Sequence, residues 1–178
     1  MVIYLVNNQS SMNINNNNTM VFFTIALVIG GITALSSMNT SIVFAKHELV
    51  ATLSGENEVP PVDTQATGMA QFVPVMPNNE TVDFSVNASQ IQGVTAGHIH
   101  SGAEDENGEV VVTLFNFDSP QNEVSESGTI TADMLEGPMQ GQTIADLLDA
   151  MKNGQTYVNV HTEQNPGGEI RGQISGSS

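Results

Sequence analysis

Short segments rich in β-branched and aromatic residues, separated by Gly, Pro, Asn and Asp, constrain most strongly what this chain can fold into. Segments of this length and composition, bounded by turn-forming residues, are typical of β-strands. Eight of them follow one another, at residues 48–54, 68–75, 81–88, 94–100, 110–115, 126–131, 157–162 and 169–174. The pattern predicts an all-β protein built as an antiparallel Greek-key sandwich or barrel.

One segment has the periodicity of a helix instead. Residues 143–152 place four apolar side chains on a single helical stripe, namely Ile144, Leu147, Leu148 and Met151. Thr143 can cap the start of this helix and Gly154 its end. A second, weaker helical turn is predicted over residues 131–135. We therefore expect one short helix, near residues 143–152, to close one end of the β structure.

The first 45 residues are predicted to direct the chain to its compartment rather than to join the fold. Residues 20–35 are uncharged and apolar, and Val43 and Ala45 precede Lys46 at the spacing that suits signal-peptide cleavage after Ala45. Residues 1–19 contain no Lys or Arg, whereas a signal peptide normally opens with basic residues. The alternative is an uncleaved anchor, since about 17 to 25 apolar residues span a bilayer. Both interpretations predict a secreted or cell-surface protein with one domain over residues 46–178.

The charge of the chain limits its partners. All 19 acidic residues lie within residues 46–178, where Lys46, Lys152 and Arg171 are the only basic residues, and the net charge is −16. Such a surface repels phosphate backbones, so we predict no nucleic-acid partner and membrane contact only through an uncleaved segment 20–35. An extracellular protein or a component of the cell envelope is the expected partner.

The absence of cysteine and of enzyme motifs excludes further classes of function. With no cysteine, the chain has no disulfide, no thiolate zinc site and no thiol chemistry. It also lacks a nucleophile motif, a phosphate-binding loop and a dinucleotide-binding fingerprint. A binding or structural module is therefore favoured over an enzyme.

Three of the four histidines lie in predicted strands. Because side chains alternate across a strand, His98 and His100 point to the same side, as two ligands of one metal would. His161 ends a later strand. Imidazole suits copper and zinc, so we predict a metal site formed by these three histidines. An oxygen ligand or a hydrogen-bond partner of a ligand is expected from Glu56, Glu58 or Glu169. The alternative is that the histidines only make hydrogen bonds inside the barrel.

The C-terminal segments are predicted to form a hairpin with one polar face. If residues 157–162 and 168–173 pair symmetrically about the loop 163–167, His161 lies opposite Glu169 and Asn159 opposite Arg171. One interpretation is that a Glu169–Arg171 ion pair orients the hairpin. The other is that both residues belong to the functional site.

Five separated motifs carry a resemblance to a known family. They are LSGENEVPPV at 53–62, ATG at 66–68, GHIHSG at 97–102, YVNVHT at 157–162 and NPGGEIRGQ at 165–173. In this order they resemble the CHRD domain, which is named for the extracellular protein chordin and also occurs alone in secreted microbial proteins. The resemblance implies an extracellular β-rich domain of immunoglobulin-like or barrel type. The cysteine-rich modules of chordin are missing, so nothing indicates a growth-factor partner.

A more distant resemblance concerns the chemistry. A His-x-His strand, a later histidine and a glycine-rich segment with an arginine are similar to copper/zinc superoxide dismutase, also a Greek-key barrel. That similarity would make His98, His100 and His161 copper ligands and Arg171 an anion-guiding residue. The bridging histidine, the further zinc ligands and the disulfide of that family are missing. We therefore predict an exported binding module with a histidine metal site, and keep a copper-dependent, dismutase-like redox enzyme as the alternative.

Overall fold

The computed structural model describes residues 48–75 and 80–176, together with three short strands nearer the N-terminus. These strands, Ile14–Asn15, Thr19–Met20 and Ile42–Val43, form a small antiparallel sheet. Apart from Met20, the predicted apolar segment 20–35 lies outside the described residues. Within the parts of the chain that are described, no helix is long and apolar enough to cross a membrane.

The chain divides into two compact units, Met1–Lys46 and His47–Ser178. The second unit is a nine-stranded antiparallel sheet with one α-helix, α1 (Ile144–Lys152). Its strands are β1 (Leu49–Ser54), β2 (Thr67–Pro74), β3 (Val82–Ser89), β4 (Val94–Ser101), β5 (Val110–Gln121), β6 (Val124–Ile130), β7 (Thr156–Thr162), β8 (Ile170–Gln173) and β9 (Ser175–Gly176). Short 3-10 turns lie at Gly55–Asn57, Ala132–Met134 and Gly137–Met139.

The order of the strands is β5-β4-β7-β8-β1-β2-β3-β6, and β9 pairs with β1. The two end strands, β5 and β6, are consecutive in the chain and are joined by Asn122 and Glu123. The sheet therefore curls into a nearly closed barrel. The prediction of an all-β antiparallel fold with one short helix is confirmed. Each of the eight predicted strands is present, with small differences at its ends except for β5, which continues six residues beyond its predicted end at 115.

The helix forms where the apolar stripe predicted it. Thr143 caps it by accepting a hydrogen bond from the backbone N–H of Asp146, while the Asp146 carboxylate accepts from the Thr143 N–H. This reciprocal capping satisfies donors that the first helical turn leaves unpaired. The predicted stripe is buried, and Gly154 beyond the C-terminus has a φ of 64°.

Strands β4, β7 and β8 lie side by side and bury both of their faces. Their inner face carries Ile99, Val158, Val160 and Ile170, which are fully buried in the hydrophobic core. Every residue of β7 is buried, including those on the opposite face. That opposite face is polar and is covered by the loops 102–109 and 163–169, so its side chains are enclosed without being part of the apolar core.

Candidate metal centre

The pairing of β4 with β7 brings the three predicted histidines onto one polar face. Tyr157 is opposite His100, Asn159 is opposite His98, and His161, two residues further along β7, is opposite Ala96. Residues that are directly opposite in an antiparallel pair share a face, and diagonal neighbours are within reach of long side chains. His161 therefore lies diagonally across from His98.

The imidazole rings form one cluster. The ring centroid of His98 is 4.8 Å from that of His161 and 5.8 Å from that of His100, and the His100 and His161 centroids are 5.7 Å apart. Each residue offers a ring nitrogen, and these three nitrogens lie within 4.8 Å of one another. A tetrahedral ion about 2.0 to 2.1 Å from each nitrogen holds its ligand atoms about 3.4 Å apart, so the widest of these separations would close by about 1.4 Å on binding.

Backbone carbonyls fix the tautomers of two of these histidines. Nδ1 of His100 lies 3.0 Å from the Gly108 carbonyl oxygen, and Nδ1 of His161 lies 3.0 Å from the Pro166 carbonyl oxygen. A carbonyl can only accept, so each Nδ1 carries the hydrogen and each Nε2 carries a lone pair. This arrangement is typical of metal-binding histidines.

The remaining ring nitrogens are buried without a partner. Nε2 of His100, Nε2 of His161 and Nδ1 of His98 have no hydrogen-bond partner. An unsatisfied buried polar atom costs about 1 to 3 kcal/mol, so three of them in one place require an explanation. A bound cation would satisfy all three at once.

Burial keeps the three rings neutral. Burial, together with the neighbouring His161 and His100 rings, lowers the pKa of His98 from 6.5 to about 4, against the opposing charge of Glu136. Burial also lowers the pKa of His100 and of His161, against the opposing effect of their hydrogen bonds to Gly108 and Pro166. Neutral imidazole is the form that binds metal, so the cluster is ready for a ligand at neutral pH.

A stack of side chains supports His100 from behind. The Tyr157 ring lies parallel to the His100 ring, with centroids 5.1 Å apart and planes inclined by 9°. The guanidinium carbon of Arg171 lies 3.4 Å from the centroid of the Tyr157 ring. The Tyr157 hydroxyl accepts from the Gly108 N–H at 3.2 Å, and the carbonyl of the same residue holds His100. Tyr157 and Gly108 therefore position this histidine.

Arg171 is enclosed beneath the loop 102–109. Only 1% of its surface is exposed, and it donates to the carbonyl oxygens of Ala103 and Glu106 and to Oδ1 of Asn107. The predicted register is confirmed for Asn159 opposite Arg171. Among the described residues, no ion pair joins Glu169 to Arg171.

The three predicted glutamates lie outside the histidine cluster. Glu169 accepts hydrogen bonds from Thr64, Thr162 and Asn165. Glu56 is exposed and lines a cleft of about 260 Å³ together with Glu58. Glu58 is buried, and its Oε2 accepts from the Asn159 amide at 3.4 Å. Of the described residues, the group with ligand atoms close enough for one ion contains the histidines alone.

Burial favours the protonated, neutral form of the Glu58 carboxyl. It raises the pKa of this carboxyl from 4.5 to about 7, although the Arg171 charge and the Asn159 hydrogen bond act in the opposite direction. Oε1 of Glu58 and Oδ1 of Asn159 are both buried without partners. Both lie within 2.6 Å of the position that a Gly168 Cβ would occupy, so only glycine fits there. The raised pKa favours the protonated carboxyl, which can donate as well as accept a hydrogen bond.

Glu136 is a neighbour of the cluster that the sequence did not predict. Thr113 is paired with His98 across β4 and β5, and its hydroxyl donates to Oε1 of Glu136 at 2.8 Å. The negative charge of Glu136 acts to raise the pKa of His98. This residue follows a 3-10 turn and reaches the site because its N–H donates to the Val111 carbonyl. No local pattern in the sequence reveals such a contact.

The comparison with protein families agrees with the fold and the motifs. The CHRD domain model matches residues 49–174. This range contains strands β1 to β8 of the sheet and the whole histidine cluster. The chain belongs to the CHRD domain family. No curated protein matches the sequence. The motif 97–102 of this CHRD domain supplies two histidines of the cluster, and the motif 157–162 supplies the third together with Tyr157.

Proposed function

We propose that this CHRD protein is an extracytoplasmic binding module that holds one transition-metal ion between His98, His100 and His161. Two observations carry the proposal: each of the three histidines has a buried ring nitrogen without a partner, and each offers a ligand atom within 4.8 Å of those of the other two. Histidines that served only the packing of the barrel would be expected to use both ring nitrogens, because unpaired buried polar atoms are costly.

Copper or zinc is the ion that this ligand set fits. Three neutral imidazoles without a thiolate suit both metals, and three protein ligands leave a position for a further ligand. The carbonyls of Gly108 and Pro166 act as the outer partners that orient such ligands. His98 is only half-buried, so the cluster is closest to solvent on its side.

Export is part of the same proposal. The apolar segment 20–35 and the cleavage pattern ending at Ala45 support a secreted or cell-surface location. The net charge of −16 supports solubility and argues against an anionic partner. An extracellular protein or a cell-envelope component remains the expected partner of the module.

We place a dismutase-like activity second to metal binding. An open coordination position supports such an activity, but Arg171 is enclosed and its guanidinium donates to the loop 102–109 and covers the Tyr157 ring. An arginine used in this way supports the position of His100 rather than the capture of a dissolved anion. A superoxide assay on the copper-loaded protein separates the two functions.

Metal content of the purified full-length chain tests the proposal. The protein is exposed to copper or zinc, dialysed against a weak chelator and analysed for metal per chain, beside a His98→Ala, His100→Ala double variant and a His47→Ala control. We expect about one ion per chain in the wild type and in the control, and none in the double variant. Equal metal content in all three proteins would refute the histidine site.

A further inference from the structure

We propose that the centre is a copper site and that two opposed charges, Arg171 behind His100 and Glu136 beside His98, set its preference between Cu(I) and Cu(II). In this account Arg171 is the residue that favours the monovalent ion. The inference rests on the proposed function, because it concerns the ion held by the same three histidines.

The position of Arg171 makes its charge effective at the site. The side chain is buried, its guanidinium lies against the Tyr157 ring, and that ring stacks on His100. The charge of Arg171 acts to lower the pKa of His100, so it reaches this histidine. Its hydrogen bonds go to backbone carbonyls and an amide, which are neutral groups. Among the described residues no carboxylate forms an ion pair with it. Its charge does act on Glu58, but burial raises the pKa of that carboxyl to about 7, so Glu58 offsets the charge of Arg171 fully only at alkaline pH.

A fixed positive charge disfavours a divalent ion more than a monovalent one. At a separation on the order of 10 Å and an effective dielectric constant of about 20, the additional unit of charge changes the ratio of the two affinities roughly tenfold. The ligands add no negative charge, because all three are neutral imidazoles. Arg171 therefore interacts with the full charge of the ion.

Glu136 acts in the opposite direction from the other side of the cluster. Its carboxylate accepts from Thr113, which is paired with His98 in the sheet. The negative charge stabilises a divalent ion more than a monovalent one. Because Glu136 is half-buried, solvent screens it more than it screens Arg171. The stronger influence is therefore that of Arg171.

The reduction potential of the copper-loaded full-length chain tests this inference. We compare the wild type with Arg171→Gln, which removes the positive charge, Arg171→Lys, which retains it, and Glu136→Gln, which removes the negative charge. Copper per chain is measured for every variant, so that a loss of binding is separated from a change of preference.

The expected shifts have opposite signs. Arg171→Gln lowers the potential by about 59 mV, which corresponds to a tenfold gain for Cu(II) relative to Cu(I). The potential of Arg171→Lys stays close to that of the wild type, although disturbed packing weakens the binding of both Cu(I) and Cu(II). Glu136→Gln raises the potential. A purely structural role for Arg171 would make the lysine and glutamine variants alike.

The outcomes distinguish this inference from the proposed function. If the wild type binds no metal, both fail. If it binds copper but the potential does not respond to Arg171→Gln, or if both neutralising variants shift it in the same direction, only the inference is overturned. Should Arg171→Gln fail to fold by circular dichroism, Glu136→Gln decides, and the absence of a rise in potential overturns the inference.

Discussion

His100 and Tyr157 are directly opposite each other in the β4–β7 ladder, and their rings stack in parallel with centroids 5.1 Å apart. The pair connects the histidine cluster to the enclosed Arg171, because the guanidinium also lies against the tyrosine ring. The register of the sheet therefore brings together His100, the Tyr157 ring that stacks on it and the buried charge of Arg171. Several measurable properties depend on this arrangement.

Tyr157→Phe is expected to weaken metal binding while preserving the fold. The phenylalanine ring keeps the stack on His100, but the Gly108 N–H loses its acceptor and the peptide that orients His100 becomes less restrained. Changes to such outer partners reduce metal affinity about 10-fold to 100-fold, and we expect the lower end of that range. Competition with a chromogenic chelator measures the affinity. An unchanged affinity would show that the hydroxyl does not position His100.

Gly108→Ala is expected to damage the site more severely. A Cβ at this position would lie 1.6 Å from the carbonyl oxygen of Ser101, so the peptide that holds His100 must move. We expect a loss of metal affinity of about 100-fold, at the upper end of the range for outer-partner changes. Gly176→Ala is the control, since nothing lies within 4 Å of its added carbon. Equal affinities of the two variants would contradict this role of Gly108.

The metal-free protein is expected to lose stability as the pH falls. The pKa of His98 is about 4 in the folded chain against 6.5 for an unperturbed histidine, so the unfolded chain binds protons more readily below pH 6.5. The contribution of neutral His98 to the free energy of unfolding is therefore fully present above pH 6.5. It declines toward pH 4, by on the order of 2 to 3 kcal/mol. Urea unfolding of the wild type and of His98→Gln across this range measures the effect. Parallel curves for the two proteins would refute it.

The contribution of Glu58 to stability is expected to depend on pH in the opposite direction. Its pKa is raised from 4.5 to about 7, so the folded chain retains a proton that the unfolded chain releases. This contribution to stability is complete below pH 4.5 and is lost as the pH rises through 7. Glu58→Gln keeps the shape and a donor for the Asn159 oxygen, and should be more stable than the wild type at pH 8 by roughly 2 kcal/mol.

A nearby glutamate provides the control for that prediction. Glu56 lines the same cleft but is exposed, so Glu56→Gln should change the free energy of unfolding by less than about 0.5 kcal/mol. The measurement is urea unfolding of all three proteins at pH 5 and pH 8. If Glu58→Gln is no more stable than the wild type at pH 8, the carboxyl is not held in its neutral form.

The sequence predicted the elements well because their signals are local. Alternation of side chains placed His98 and His100 on one face, and capping by Thr143 marked the start of the helix. The length of β5 was underestimated, since it continues to Gln121 through an exposed, polar stretch that contains Pro120. Proline lacks a donor and is tolerated because β5 is at the end of the strand order.

The composition of the site depended on information that is not local. His161 approaches His98 only because β7 lies beside β4 in the strand order. Glu136 lies near His98 because Leu135 forms an isolated β-bridge with Val112, and no periodicity in the sequence predicts this bridge. Strand alternation alone indicated the histidines, but the loop over Arg171 could be found only from the folded chain.

Nitrogen NMR of the histidine rings tests the central claim most directly. On addition of one equivalent of zinc to the ¹⁵N-histidine-labelled full-length chain, we expect large shifts at Nε2 of His100, Nε2 of His161 and Nδ1 of His98, the three buried nitrogens without partners. Nδ1 of His100 and of His161 should remain protonated and bound to their carbonyls. Unchanged spectra for these three rings, with zinc present in excess, would contradict the account.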